Sequence, residues 1–439
     1  MKSAKGQGSY LFGLQNGKVV PIITMNTKRN IFLWTLYDFA NSLVSIVFFL
    51  YFAQWIVIDR GLPDLWFNLT FTISTIFLIF TAPYAGILLD KHLRRITGLR
   101  WTTIGTALLY GGCALFATHN NNIWALIFFT LGIYIYQLTF TFYTPLINDI
   151  ASPEKRGRIS GYGIGANYLG QFVGLLLALP FSTGTLNLFH SSPRAETLLP
   201  AVIAFLIFSL PMLIFFREPF KQKLVSEFAS STKELIHKTK QLFLVPGVGL
   251  FILAYFFFND AILTASNNFS IFMEQVWGVS DTIKTYILLG IILTSAIGGL
   301  VSGFVADKFG HKRTMLFILA GWVFILPFIG LITNFALFVI ATTIMGFWFG
   351  SNWAVSRSVM AYLTPQENNN LAFSYFNLIE RTSSLVGPVV WGLVVSNLVS
   401  MGSYRYRLAT LAVTVFIVLG LWALARVKSD RPKIAAHQR

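Results

Sequence analysis

The sequence predicts an all-α membrane protein with twelve transmembrane helices, arranged as two parallel-repeat six-helix halves. Hydrophobic residues make up 55% of the 439 residues and charged residues only 11%, whereas a soluble domain carries about 25% charged residues. Apolar runs that approach the roughly 20 residues needed to cross a bilayer recur along the whole chain. Charged motifs also recur in its two halves, which indicates an internal repeat.

Twelve apolar runs, each bounded by charged residues, proline or glycine, are the predicted helices. In order they cover 31–53, 66–89, 100–118, 123–147, 159–181, 197–216, 246–272, 283–306, 313–333, 335–361, 371–397 and 405–426. The ninth and tenth are separated by Asn334 alone. Because the number of spans is even, both termini lie on the same side of the membrane.

Lysine and arginine predict which side that is. With both termini inside, 26 of the 33 basic residues fall in the termini and the loops of the inner side, as the positive-inside rule requires. We therefore expect an integral multi-pass protein of a bacterial inner (plasma) membrane with cytoplasmic termini. The net charge of +16 then reflects topology and attraction to anionic lipid, so no nucleic-acid partner is expected.

Five segments follow from this topology. We expect a cytoplasmic N-terminal segment at 1–30, a six-helix half at 31–216, a cytoplasmic linker at 217–245, a second six-helix half at 246–426 and a cytoplasmic tail at 427–439. The linker mixes lysines with apolar residues over 226–242, a pattern typical of a helix that lies on the membrane surface.

The internal repeat is clearest in two loops that follow helices two and eight. The first reads GILLDKHLRR over 86–95, and the second reads GFVADKFGHKR over 303–313. Each places a glycine and an aspartate ahead of a basic pair. Asp38 and Asp260, in helices one and seven, recur at nearly the same interval.

These residues resemble the major facilitator superfamily, whose hallmark loop is G-x-x-x-D-[RK]-x-G-[RK]-[RK]. The first loop departs from it, because Leu93 stands where the second glycine is expected. WTLYDFANS at 34–42, DIASPEKRGRISG at 149–161 and SRS at 356–358 are similar to the branch that contains the fungal vacuolar amino-acid effluxer and its bacterial relatives. The resemblance implies that the two loops gate the transport path, through Gly86, Asp90, Arg94, Arg95, Gly303, Asp307, Gly310, Lys312 and Arg313.

Charged side chains inside the helices are the strongest candidates for the site. Each costs roughly 2.5 to 3.5 kcal/mol on insertion scales and therefore requires a reason. Polar residues follow them at helical spacing and form single stripes. The predicted substrate- and proton-binding residues are Asp38, Asn41, Gln137, Asp260, Asn267, Asn268, Arg357, Glu380 and Arg381. The alternative interpretation is structural: the same groups could hydrogen-bond or ion-pair to hold the bundle together.

The predicted function is secondary transport by alternating access. Acids and arginines occur together well inside the helices while lysine does not, which favours an amino acid or similar zwitterion over a phosphate. We expect proton coupling through a buried carboxyl, and the resemblance favours efflux. The alternative is a multidrug or amphipathic-compound/lipid exporter of the same fold. No GxSxG, Cys–His or metal motif is present, so we expect no enzyme and no cofactor. The expected partners are the substrate, protons and membrane lipid, and we expect a monomer.

Overall fold

The computed structural model describes residues 10–15, 18–23, 27–91, 94–151, 156–218, 240–364 and 369–427. Eleven of its helical segments are long and apolar enough to cross a bilayer, and a further helix, Arg95–Thr118, completes the predicted twelve. The all-α twelve-helix fold is therefore confirmed. Most of the linker (219–239), much of the first 26 residues and the tail from 428 lie outside the described residues.

The N-terminal half (the N-half) contains helices one to six. Helix one spans Thr27–Val47 and continues through two π-helical turns, Phe48–Phe52 and Trp55–Asp59. Helices two to six are Asp64–Lys91, Arg95–Thr118, Asn122–Tyr143, Arg156–Ser182 and Leu198–Phe215. Two four-residue helices, Ile147–Ile150 and Pro193–Glu196, precede helices five and six.

The C-terminal half (the C-half) contains helices seven to twelve. Helices seven to ten are Val248–Trp277, Asp281–Phe309, His311–Leu331 and Phe335–Leu363, and helix twelve is Tyr404–Ala425. The predicted boundary between helices nine and ten is confirmed, because Asn334 caps helix ten by accepting a hydrogen bond from the Leu337 N–H at 3.1 Å.

Close helix pairs within each half depend on glycine. Helices eight and ten approach so closely that a Cβ on Gly350 would collide with the backbone of Ser295, and one on Gly298 with that of Phe347. In the N-half, Gly170 meets the backbone of helix one at Phe39 in the same way. Small residues allow this backbone contact inside a membrane, where dispersion replaces the hydrophobic effect as the driving force.

Helix eleven differs from the single helix predicted over 371–397. It consists of an N-terminal piece, Asn369–Thr382, and a C-terminal piece, Gly387–Asn397. Pro388 occupies the second position of the C-terminal piece. It has no N–H to offer the carbonyl of Ser384 four residues earlier, and it disfavours helical geometry in the preceding residue. The helix is therefore interrupted over 383–386, and this interruption is called the helix-eleven break below.

A short antiparallel hairpin precedes helix one, which the sequence analysis did not predict. Strands β1, Tyr10–Gln15, and β2, Lys18–Ile23, pair from Tyr10 with Ile23 to Gln15 with Lys18. The sequence between them is Asn16-Gly17, the dipeptide most typical of a two-residue hairpin loop.

Candidate functional site

Four of the predicted charged residues form one group between the two halves, called the central cluster below. It comprises Asp38 on helix one, Arg357 on helix ten, and Glu380 and Arg381 at the end of the N-terminal piece of helix eleven. Arg357 Nη2 lies 3.6 Å from Glu380 Oε1. The Glu380 side chain is 8% exposed and that of Arg357 is 40% exposed, so the pair is reached from one side by an open space.

Asp38 brings the N-half into this cluster. It is half-buried, and it interacts with the Asn167 side chain of helix five and, electrostatically, with Arg381 and Arg357 of the C-half. The space beside it exists because residue 163 is glycine: a Cβ there would lie 3.1 Å from Asp38 Oδ2. Asn167 was not among the predicted site residues.

Arg381 makes the direct contact between halves at this level. Its guanidinium lies 3.7 Å from the ring centroid of Phe140, and Nη1 donates to Gln137 Oε1 at 3.4 Å. Both partners belong to helix four. The cation–π contact and the amide contact together orient the guanidinium. Gln137, predicted from its helical spacing, therefore lies beside the central cluster.

The predicted asparagines are buried, but they do not all lie with the charges. Asn268 of helix seven exchanges two side-chain hydrogen bonds with Asn68 of helix two, at 3.0 and 2.8 Å. This reciprocal amide pair joins the halves, and Asn68 was not predicted because it carries no charge. Asn41 and Asn267 are buried in helices one and seven, and Tyr136 of helix four donates to the Asn41 carbonyl at 3.3 Å.

Asp260 lies apart from the central cluster, at the helix-eleven break. It is fully buried. Its Oδ2 accepts hydrogen bonds from the Gly387 N–H at 2.8 Å and the Val386 N–H at 3.3 Å. These are orphan donors at the start of the C-terminal piece of helix eleven. Asp260 thus caps this piece from a neighbouring helix.

A second charged assembly joins the halves at the helix ends opposite the termini, here called the far ends. Arg194, before helix six, contacts Asp59 of its own half at 2.7 Å, and Glu274 and Asp281 of the C-half at 2.6 and 3.0 Å. Lys284 of helix eight, 1% exposed, also contacts both C-half carboxylates and the Gln54 side chain of helix one. These six residues are called the far-end lock.

The far-end lock determines which side of the molecule is shut. Tyr51 and Thr285 hydroxyls lie 3.4 Å apart across the same junction, and Tyr406 donates to Asp64 at 3.1 Å. Among contacts between described residues, the hydrogen bonds and ion pairs that join the halves lie at mid-depth or at the far ends. The far ends are therefore closed in this conformation.

A family model described as "Vacuole effluxer Atg22 like" matches residues 66–437. The chain belongs to this family. An uncharacterized MFS-type transporter of Bacillus subtilis is 23% identical and aligns over 92% of this chain and 96% of its own. Autophagy-related protein 22 of Vanderwaltozyma polyspora is 26% identical over 47% of this chain and 41% of its own. A multi-drug resistance efflux pump PmrA homolog of Lactococcus lactis is 25% identical over 91% and 94%.

Solved structures share the fold of this Atg22-like protein. A mutant of the nucleoside transporter NupG aligns with a TM-score of 0.72 at 13% identity, covering 91% of this chain and 99% of its own. A bacterial homolog of the lysosomal transporter Spinster, inward-facing and occupied, gives 0.70 at 14% identity, over 92% and 96%. The protein is a membrane transporter of the major facilitator superfamily in the Atg22-like branch.

The gating residues expected from the resemblance occupy the ends of helices in this Atg22-like protein. Gly310 has a φ of +97° between helices eight and nine, a left-handed conformation that glycine adopts without strain. Lys312 donates to the carbonyls of Ala425 and Val427 at the end of helix twelve. Asp307 and Arg313 are exposed, and Gly303 is half-buried in helix eight.

In the first loop, Arg95 forms an ion pair with Asp149. Its Nη1 lies 2.9 Å from Asp149 Oδ2, and the Asp149 side chain is 2% exposed. Arg94 directly precedes helix three. Gly86 and Asp90 lie in the last turns of helix two, where their side chains are outside the described part of the structure.

Proposed function

We propose that this protein is a proton-coupled secondary transporter that exports an amino acid or a similar zwitterion by alternating access of its two halves. The observation that carries the proposal is the composition of the central cluster, which combines two carboxyl groups with two guanidinium groups. A zwitterion presents one ammonium and one carboxylate group. Each of these can pair with an opposite charge in the cluster, so no buried charge is left without a partner.

The positions suggest a division of roles. Arg357 and Arg381 suit the substrate carboxylate, because a guanidinium can hold it with two parallel hydrogen bonds. Asp38 and Glu380 suit the ammonium group or the coupling proton, since each can be neutralised by either. Asp38 belongs to one half and the other three residues to the other half. A substrate that bridges them favours one relative position of the halves over another.

The setting of the transporter follows from the charge distribution. We propose a monomer in a bacterial plasma membrane. Both termini are placed in the cytoplasm, because the basic residues concentrate on the side of the termini. The far-end lock then closes the external side. The central cluster is then reached from the cytoplasm, from which an exported solute is loaded.

A ligand screen by thermal shift tests the substrate class. Purified protein is heated with amino acids, short peptides, sugars or amphipathic drugs, and a ligand at 100 times its Kd should stabilise it by about 2.7 kcal/mol. We expect stabilisation by amino acids that is lost in Arg357→Gln. The matched control is Arg60→Gln, since the Arg60 side chain is exposed and hydrogen-bonds Asn120 and Asn122 of its own half.

Proteoliposomes test the coupling. An imposed pH gradient should drive uphill movement of the stabilising amino acid in the parent protein and in Arg60→Gln. In Asp38→Asn, exchange of labelled for unlabelled substrate should continue if the proton site alone is lost. Uphill transport that is unaffected by both Asp38→Asn and Glu380→Gln contradicts proton coupling through the central cluster.

A second function is favoured by one observation. Arg381 lies against the Phe140 ring, and Asp38 is close to Trp34, whose ring stacks on that of Tyr143 with centroids 5.1 Å apart. Aromatic walls beside a carboxylate suit a bulky organic cation. Stabilisation by such cations, with no response to any amino acid, selects the multidrug exporter in place of the amino-acid carrier.

A further inference from the structure

The helix-eleven break leaves backbone groups that need partners inside the membrane, where an unsatisfied group costs several kcal/mol. Two helices supply them. Thr75 of helix two donates to the Ser384 carbonyl at 3.2 Å, which is the carbonyl that Pro388 deprives of its helical partner. Thr72 donates to the Leu385 carbonyl at 3.0 Å. The freed carbonyls are thus satisfied by the other half of the protein.

The freed N–H groups are satisfied by the C-half itself. Asp260 accepts from Gly387 and Val386, as described above. From the adjacent position of helix seven, the Asn259 amide donates to Ser383 Oγ and, at 3.4 Å, to the Glu380 carbonyl. Helix seven therefore contacts both sides of the break. Its contact with the N-terminal piece is made to the backbone of Glu380, which is a member of the central cluster.

Gly387 shows how closely helix seven and the break are fitted. A Cβ at this position would collide with Thr264 Oγ1 and would also lie too near Asp260 Oδ1. Both oxygen atoms are buried, and neither has a hydrogen-bond partner among the described residues. An amide in place of the carboxylate could keep an oxygen on the Gly387 N–H and turn its NH2 group towards Thr264.

We propose that Asp260 is a positioning residue: by capping the C-terminal piece of helix eleven it fixes the break, and thereby sets Glu380 and Arg381 against Arg357 and Gln137. Its role is to accept hydrogen bonds, which differs from the substrate or proton binding expected from the sequence. The readout by transport rests on the proposed function, but the cap itself can be tested without a substrate.

Two substitutions separate capping from proton binding. Asp260→Asn retains an acceptor oxygen and cannot carry a proton, whereas Asp260→Leu has the same number and branching of side-chain heavy atoms and no acceptor. We expect Asp260→Asn to keep the parental KM within about threefold and the parental pH profile of uptake, while Asp260→Leu raises KM at least tenfold. If Asp260→Asn loses coupled uptake to the same extent as Asp260→Leu, the inference is overturned in favour of a proton-carrying role. Parental KM in Asp260→Leu overturns it as well.

A stability cycle gives an answer even if no amino acid is transported. Melting temperatures are measured for the parent, Asp260→Leu, Glu380→Gln and the double variant, each checked for a monodisperse elution profile. If Asp260 acts through the position of Glu380, the double variant loses less than the sum of the two single losses, because neighbouring residues that share contacts are not additive. Additive losses overturn the inference.

Amide hydrogen exchange locates the effect and covers the case in which Asp260→Leu is too unstable for transport. The peptide that contains Val386 and Gly387 should exchange at the parental rate in Asp260→Asn and at least tenfold faster in Asp260→Leu. Equal protection in all three proteins shows that the carboxyl does not cap the break, and this overturns the inference. Failure of the amino-acid screen with a positive exchange result refutes only the proposed substrate class.

Discussion

Replacement of Arg194 by glutamine should shift the protein towards the state in which the far ends are apart. Arg194 makes three ion pairs, and two of them, with Glu274 and Asp281, join the N-half to the C-half. Its side chain is 12% exposed, so the pairs are screened less than surface pairs. In the variant, Lys284 still holds both carboxylates, and the lock is weakened but not abolished.

The size of the shift caused by Arg194→Gln follows from the balance between charge attraction and desolvation. At an effective dielectric constant of about 20, a pair at 4 Å gains about 4 kcal/mol of Coulomb energy, and desolvation of the two charges cancels much of it. Two such pairs are therefore expected to shift the equilibrium between closed and open far ends by about 1–3 kcal/mol, a factor of roughly 5 to 150.

Cysteine labelling measures this shift directly. Cys113 is the only cysteine and is buried, so Cys113→Ser provides a background without cysteine. Thr285→Cys then places a thiol in the far-end junction, at a position that is fully buried in the closed state. The rate of maleimide labelling in detergent reports the fraction of molecules with open far ends.

In this background Arg194→Gln should raise the labelling rate at least about fivefold. The control is Arg60→Gln, which removes an arginine from the same end, where its contacts with Asn120 and Asn122 stay within one half. If both variants label at the parental rate, the Arg194 ion pairs do not hold the halves together and the reasoning is wrong.

Three further substitutions test the packing by thermal unfolding. Asn68→Ala should cost about 1–3 kcal/mol because it leaves the buried Asn268 amide unpaired, and a double alanine variant should lose less than the sum of the single losses. Gly350→Ala should cost about 1–3 kcal/mol by overpacking against helix eight, whereas Gly165→Ala, with open space around it, should be neutral. Lys284→Met should cost about 3–5 kcal/mol, since it removes the buried partner of two carboxylates.

The helices and the members of the central cluster could be predicted because both follow from the cost of polar groups in a bilayer. Apolar length marks the spans, and every charge inside a span requires a reason. That rule found Asp38, Arg357, Glu380 and Arg381 without any knowledge of their neighbours. It could not show that Asp260 lies at the helix-eleven break and not in the central cluster. Helical spacing shows which residues share one face of a helix, but not which neighbouring helix that face contacts.

The far-end lock could not be predicted from spacing, since Arg194 lies 135 positions from Asp59 and 80 from Glu274. Nothing local distinguishes these residues from ordinary loop charges. The helix-eleven break had a local signal in Gly387-Pro388, because a proline inside an apolar run ends or kinks a helix. Asn68 carries no charge and therefore escaped a search that started from charged side chains.

The two charged assemblies act at different distances from the centre of the molecule, and this constrains how transport can be driven. When two halves rock about a site at mid-depth, their ends separate most, so the far-end lock has to break while contacts such as Arg381 with Gln137 need only adjust. The lock therefore contributes to the free-energy difference between the two states of the empty protein. A substrate or proton that binds both states equally cannot change that difference. On the proposed function, a ligand of the central cluster promotes the change of state only by binding more tightly when the far ends are apart, and this preference has to offset a lock in which the two Arg194 pairs alone contribute about 1–3 kcal/mol.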